Sequence, residues 1–421
     1  MRSSFFFLVA LLLAVPGCGN GNIGDVFAIF PPEAFEGGGG DGDDGDVPGA
    51  PFVPSDIGGL AGGQGVSGEV RNIVVAAVGA RTYAFLAAGI DGIHVVDMTE
   101  PDLVNANSYV TTVNSSTLTA PAALAGGAVH DLTIVDNTFL VCIGVGTGAA
   151  NAVTVFNIVT LIGAATSSSA DLSAAFVAPA GAGDEIAVPG DLGRGGGVSG
   201  ASGTFVVATG GTAIMSAVIT SGMPPTWSLA PVQFPDLSAI GVANVTDVLA
   251  SQFAVYASGR GVGGTFGYIV LNPLAATNPT FTAVDGVFTG LLDQFVTGPG
   301  NYPLDLAVDT LSLYVSGEDE LQVFNLTNPL VPTGPVARVG PTGLDTISVA
   351  AQNGTFVVGA DDFLRIGANV LGQARITGSV TFQTTFTIRG MALHSTDRGS
   401  FALCCAGTGG LRVVQLTQTQ P

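Results

Sequence analysis

Four aspartates stand in similar places ahead of short apolar runs: Asp131 before LTIV, Asp247 before VLA, Asp305 before LAV and Asp345 before TISVA. Carboxylates are hard oxygen donors, and a partial ring of them could hold a divalent cation. The same side chains have a second use, because Asp readily accepts hydrogen bonds from nearby backbone N–H groups and fixes a turn. The position recurs down the chain, and that repetition favours the structural role. His94, His130 and His394 are the only histidines, and they fall in three separate stretches, so nothing groups them as metal ligands. Gly259-x-Gly261-x-x-Gly264 has the spacing of a dinucleotide fingerprint, but Thr265 to Leu271 continues as an extended run where that motif requires a helix. Neither a Gly-x-Ser-x-Gly elbow nor a His-Glu-x-x-His pair occurs, so no nucleophile or zinc-protease constellation is marked.

The elements that would position the aspartates come from a repeat. Seven apolar runs each lead into a turn: YAFLAAG (83–89), FLVCIG (139–144), FVVATG (205–210), FAVYASG (253–259), LYVSG (313–317), FVVGAD (356–361) and FALCCAG (401–407). A second short run follows each of them, from IHVVD (93–97) to LRVVQ (411–415). Apolar runs of strand length joined by Gly or Asp turns read as β-hairpins. A further strand precedes each hairpin and carries the aspartates; in the third unit it is expected near Glu185 to Val188. No stretch shows a helical period of 3.6, so the expected class is all-β. Units of this size and number close naturally into a seven-bladed β-propeller over residues 66–421, with the preceding strands lining a central channel. The last unit lacks an outermost strand, and the segment between Phe52 and Val70 is expected to supply it.

The clearest unit reads Thr82 to Val104, TYAFLAAGIDGIHVVDMTEPDLV. An apolar strand, a Gly turn, an aliphatic strand ending in Asp97 and a Pro-containing turn together resemble the LVIVD repeat, a family of propeller blades of bacterial surface and secreted proteins; its core here is Ile93-His94-Val95-Val96-Asp97. The resemblance implies a propeller on the outside of a bacterial cell. Asp97 is replaced by Asn157, Asn272, Asn325 or Gln415 in other units, which points to a turn-capping side chain rather than a catalytic acid.

The N-terminus carries Arg2, an apolar run from Phe5 to Val15 and then Val15-Pro16-Gly17-Cys18. A run of that length is too short to cross a bilayer, which takes about 20 residues, and reads as a signal peptide over residues 1–17. Its ending resembles the bacterial lipobox, which implies acylation of Cys18 and a mature chain that begins there. Gly19 after the cysteine, by resemblance to enterobacterial sorting, points to the outer membrane. Residues 18–65 are rich in Gly and Asp, as in GGGGDGDDGDVPGAP, and are expected to form a flexible tether. Asp41, Asp43, Asp44 and Asp46 lack the glycine and glutamate of a calcium loop. Phe27, Ile29, Phe30 and Phe35 interrupt the polarity, apolar enough to dock on the domain or on the membrane.

Composition narrows the function. There are 11 basic residues, all Arg, against 32 acidic ones, a net charge of −21 that repels phosphate backbones and excludes nucleic acid as a partner class. Cys142 and the vicinal Cys404 and Cys405 are expected to act as small buried hydrophobes, since adjacent strand residues face opposite ways. The expected function is a lipid-anchored, non-catalytic binding or structural scaffold of the cell envelope, with an envelope protein or glycan as partner and no cofactor. The alternative is a propeller hydrolase or lyase that uses a divalent cation held by Asp131, Asp247, Asp305 and Asp345.

Overall fold

Short runs of Val, Ile, Phe and Ala between two-residue turns can satisfy their backbone groups and bury their side chains only by pairing with one another, and they do so as antiparallel hairpins. The computed structural model describes residues 52–60, 70–89, 91–105, 108–113, 128–145, 151–166, 198–201, 203–208, 212–221, 225–230, 234–251, 254–262, 266–272, 280–283, 305–309, 311–316, 321–339, 348–360, 363–370, 373–382 and 388–418.

The first strand, β1 (Phe52–Leu60), belongs to the last sheet. Blade 1 is β2 (Asn72–Val78), β3 (Arg81–Ala87), β4 (Ile93–Asp97) and β5 (Tyr109–Val113). Blade 2 holds β6 (Ala128–Val135), β7 (Phe139–Val145) and β8 (Asn151–Asn157), followed by the helix α1 (Ile158–Thr166). Blade 3 is β9 (Val198–Ala201), β10 (Thr204–Ala208), β11 (Ile214–Thr220) and β12 (Thr226–Leu229), and blade 4 is β13 (Val242–Ala250), β14 (Val255–Gly261), β15 (Phe266–Leu271) and β16 (Thr280–Ala283). Blade 5 comprises β17 (Leu306–Asp309), β18 (Ser312–Ser316), β19 (Leu321–Asn325) and β20 (Thr333–Val339). Blade 6 comprises β21 (Ser348–Gln352), β22 (Thr355–Ala360), β23 (Phe363–Val370) and β24 (Gln373–Thr381). Blade 7 runs β25 (Gly390–Thr396), β26 (Gly399–Cys405), β27 (Leu411–Gln418) and then β1.

The apolar surface is buried between blades, in seven clusters, one for each neighbouring pair. A buried aromatic from the second strand anchors most of them: Phe85, Phe205, Tyr256, Tyr314, Phe356 and Phe401. The cluster that joins blade 7 to blade 1 packs Phe401, Leu403 and Leu411 against Ile73, Leu86 and Met98, with Leu60 of β1 alongside, so the circle has no gap. β1 pairs antiparallel with β27, Phe52 opposite Gln418 and Leu60 opposite Leu411, and the two ends of the chain share one sheet. The fold is a seven-bladed β-propeller.

The closing strand lies where the missing outermost strand of the last unit directs, and the propeller therefore includes Phe52–Leu60, inside the stretch that composition assigns to the tether. Two other expectations change. The inner strand of blade 3 is Val198–Ala201 rather than a segment near Glu185 to Val188, which lies outside the described residues. The chain also contains a helix, α1, where no helical period is visible. Asn157 starts it, its Oδ1 accepting from Thr160 N at 3.2 Å, and buried Ile158 and Leu161 pin it against blade 1.

Strand order gives the disc two faces. The turns from first to second strand and from third to fourth lie on one, here termed the lower face; the remaining connections lie on the upper face. Arg398, in the first turn of blade 7, reaches Glu100 (2.6 Å) and Asp102 (2.8 Å), in the third-to-fourth connection of blade 1, and so fixes the lower faces of the two blades side by side.

Candidate functional site

Inner strands carry, in or just before them, a small polar residue followed by a buried aliphatic: Asn72-Ile73, Asp131-Leu132, Asp247-Val248, Asp305-Leu306 and Ser348-Val349. The aliphatic side chain enters the core, and the polar one meets the neighbouring inner strand. In blades 2 and 4 a register shift precedes the aspartate: it skips His130 and Thr246, and the ladder resumes with Asp131 opposite Ile143 and Asp247 opposite Ser258.

Asp131 shows what this geometry achieves. Its Oδ1 accepts from Leu132 N at 2.9 Å and from Asn72 Nδ2 of blade 1, while its Oδ2 accepts from Val198 N of blade 3 at 2.9 Å. One buried carboxylate thus ties three blades together. Asp305 repeats the arrangement: Oδ1 accepts from Leu306 N at 3.0 Å, and Oδ2 accepts from Ser348 Oγ at 2.8 Å and Val349 N at 2.9 Å, both of blade 6. Between blades 3 and 4, Ser199 Oγ accepts from Ala250 N at 2.8 Å. Asp247 is buried and stands opposite Ser258 in the β13–β14 ladder.

Asp131, Asp247 and Asp305 are therefore brought to one tier of the propeller but kept in three different blades. Asp345 lies outside the described residues, and the tier position in blade 6 is held by Ser348. Among the described residues, no group of three or more His, Cys, Asp or Glu is placed to hold a metal ion. Charge-assisted hydrogen bonds to buried N–H groups are the chemistry that Asp131 and Asp305 perform.

The histidines are also apart. His94 is buried in β4 of blade 1, His130 lies in β6 of blade 2, and His394 lies in β25 of blade 7, where burial pushes its pKa below the usual value. Gly259 and Gly261 lie at the end of β14, and the chain turns back as β15, so the glycine spacing belongs to a hairpin. Cys142, Cys404 and Cys405 are buried. Cys404 faces blade 6 and Cys405 faces blade 1, as neighbours on a strand must. Burial raises the Cys404 thiol to about 12, and burial together with the Asp131 charge raises that of Cys142.

At the rim, Asp97 Oδ1 accepts from Thr99 N at 3.0 Å and Thr99 Oγ1 at 2.6 Å. Asn325 Oδ1 accepts from Thr327 N at 2.7 Å and Thr327 Oγ1 at 2.5 Å in blade 5. These residues cap the turn after the third strand, the role that the Asp-to-Asn exchange among repeats suggests. Sequence reasoning missed the cross-blade clamps of the lower face. Asp309 accepts from Asn353 N at 3.0 Å and Gly354 N at 2.5 Å, and the Asn-Gly turn that supplies those donors is the one signal that could have found it.

No protein-family profile matches the chain, and no curated protein matches it. Solved structures do. U3-55K is 12% identical, with a TM-score of 0.55 over 87% of this chain and 98% of that one. The WD40 β-propeller domain of Doa1 is 11% identical, with a TM-score of 0.49 over 88% of this chain and 98% of that one. At such identity the likeness to U3-55K speaks for the shared fold alone.

Proposed function

We propose that this chain is a lipid-anchored propeller of the bacterial cell envelope, of the LVIVD-repeat type, which serves as a non-catalytic binding or structural scaffold for an envelope protein or glycan. A propeller is a rigid disc that presents loops on two faces, and binding or scaffolding is the role that such a disc supports in general. One observation carries the non-catalytic part of the reading: Asp131 and Asp305, the carboxylates best placed for chemistry, spend one oxygen on the next residue's N–H of their own blade and the other on a neighbouring blade. The anchor is supported by the short apolar run and Cys18. The repeat type is supported by the capped turns at Asp97 and Asn325.

Fractionation of cells that carry Cys18→Ala tests the anchor: the variant is expected in the soluble fraction, and unchanged membrane association would refute it. Metal analysis tests the rest. The purified protein is expected to hold no stoichiometric divalent cation; one that is lost on Asp131→Asn or Asp305→Asn would favour a metal-dependent enzyme. In-cell crosslinking that recovers neither protein nor glycan would count against the scaffold.

A further inference from the structure

Among the described residues seven large apolar side chains stand exposed, and four of them belong to blade 5: Leu311, Leu330, Val331 and Val336. Leu311 sits in the first turn of that blade, and Leu330 and Val331 sit in the connection from β19 to β20, so three of the four share the lower face. The turns are close neighbours, since Leu326 N donates to Leu311 O at 2.7 Å. Isolated exposed aliphatics are ordinary; several gathered on one blade mark a surface that something covers.

The path of the chain indicates what covers it. β27 starts at the upper face, after the turn from β26, and ends at the lower face with Gln418; Phe52 pairs with Gln418. Phe52, where the preceding segment joins the disc, therefore lies at the lower face, the face that carries the apolar patch. The run Phe27 to Phe35, FAIFPPEAF, is the one strongly apolar stretch between Cys18 and Phe52, and it lies outside the described residues. Residues 36–51 span up to about 50 Å at ~3.3 Å per residue, while a unit of this size has a radius of gyration of roughly 21 Å. The run can therefore reach any blade on the lower face. A segment tethered in this way meets the patch at an effective concentration in the millimolar range, so a modest apolar contact suffices.

We propose that the segment Phe27–Phe35 docks on the apolar patch of blade 5 formed by Leu311, Leu330 and Val331. A lipid surface is the competing occupant. It fits less well, because Asp97, Glu100, Asp102, Asp136, Asp309 and Asp397 also lie at the lower face, against Arg81 and Arg398, and an anionic leaflet would be repelled. The segment carries a single carboxylate, Glu33.

The test uses the full chain with Cys18→Ala, which removes the one native thiol of the N-terminal segment, and two added cysteines. Phe30→Cys with Val331→Cys is expected to form an intrachain disulfide at least tenfold faster than Phe30→Cys with Val262→Cys, whose second site lies on the upper face. Equal rates would overturn the proposal. A second measurement, also with Cys18→Ala, places an environment-sensitive fluorophore on Val331→Cys; the native Cys142, Cys404 and Cys405 are buried and do not compete. Changing Phe27, Ile29, Phe30 and Phe35 to Ser is expected to shift its emission to the red in solution. An unchanged spectrum would overturn the proposal, as would a probe that is shielded only after phospholipid vesicles are added, which would assign the patch to lipid.

Discussion

Replacement of Asp131 separates a structural carboxylate from a metal ligand. In Asp131→Ala two buried backbone donors, Leu132 N and Val198 N, lose their acceptor together with the Asn72 amide. Each stranded N–H costs about 1–3 kcal/mol, so the two backbone donors alone come to about 2–6 kcal/mol, a large part of the ~5–15 kcal/mol by which domains are stable. Asp131→Asn is milder but not neutral. Its amide must aim NH2 either at Val198 N or at Leu132 N and the Asn72 amide, and a flip of Asn72 to compensate would strand Ile73 N, which Asn72 Oδ1 accepts at 2.7 Å. One donor facing another leaves a cost of about 1–3 kcal/mol. The assay is urea unfolding followed by far-UV circular dichroism, with and without EDTA and calcium. The expected order of midpoints is parent, then Asn, then Ala, each unaffected by chelator. An Asn variant as stable as the parent, or a parent whose midpoint falls in EDTA, would refute the reasoning.

Three further outcomes are expected. A chain that begins at residue 50 should fold with an unchanged melting cooperativity, whereas one that begins at residue 62 lacks β1, exposes the edge of β27 and should aggregate on heating, as light scattering would report. Gly367→Ala should destabilise by about 1–3 kcal/mol because its Cβ would meet the Phe356 ring within 2.0 Å, the usual cost of overpacking; Phe356→Leu on that background should recover part of the loss in thermal melts. His394 has a pKa lowered by burial, so the native state favours the neutral ring: stability is full above the unfolded value of about 6.5 and declines as pH falls below it. Between pH 7 and pH 5 the parent should lose more melting temperature than His394→Gln, and parallel curves would contradict this.

The legible part of the fold was the part written in apolar runs. Second strands such as Tyr83–Ala88 are buried on both sides, so they appear as uninterrupted apolar stretches that end in glycine turns. β9 is VSGA, with no such stretch; it holds its place through neighbours, since a Cβ on Gly200 would sit 2.2 Å from Val135 of blade 2. The sequence near Glu185, richer in aliphatics, was the more visible choice. α1 was hidden for the opposite reason: IVTLIGAAT is apolar nearly throughout, and an unbroken apolar run shows no period. The inner-strand aspartates are visible as a repeat, and at Asp131 and Asp305 the carboxylates accept backbone N–H groups, the structural use that repetition favours. Their bond partners were not visible, because Val198 and Val349 donate through backbone N–H groups that leave no mark in the choice of residue.

The pairing of Phe52 with Gln418 has a mechanical consequence. A pull transmitted along the chain into Phe52 arrives at one end of the β1–β27 ladder and loads its hydrogen bonds in turn, as a peel, rather than all at once, as a shear. The first resistance is the Asp56–Arg412 ion pair, beside the register shift between Asp56 and Gly58. Beyond it lies Leu60 in the blade 7 to blade 1 core. Tension on the N-terminal segment would thus open the disc at its seam while the other six interfaces stay unloaded, so the strand that completes the ring is also its mechanical fuse.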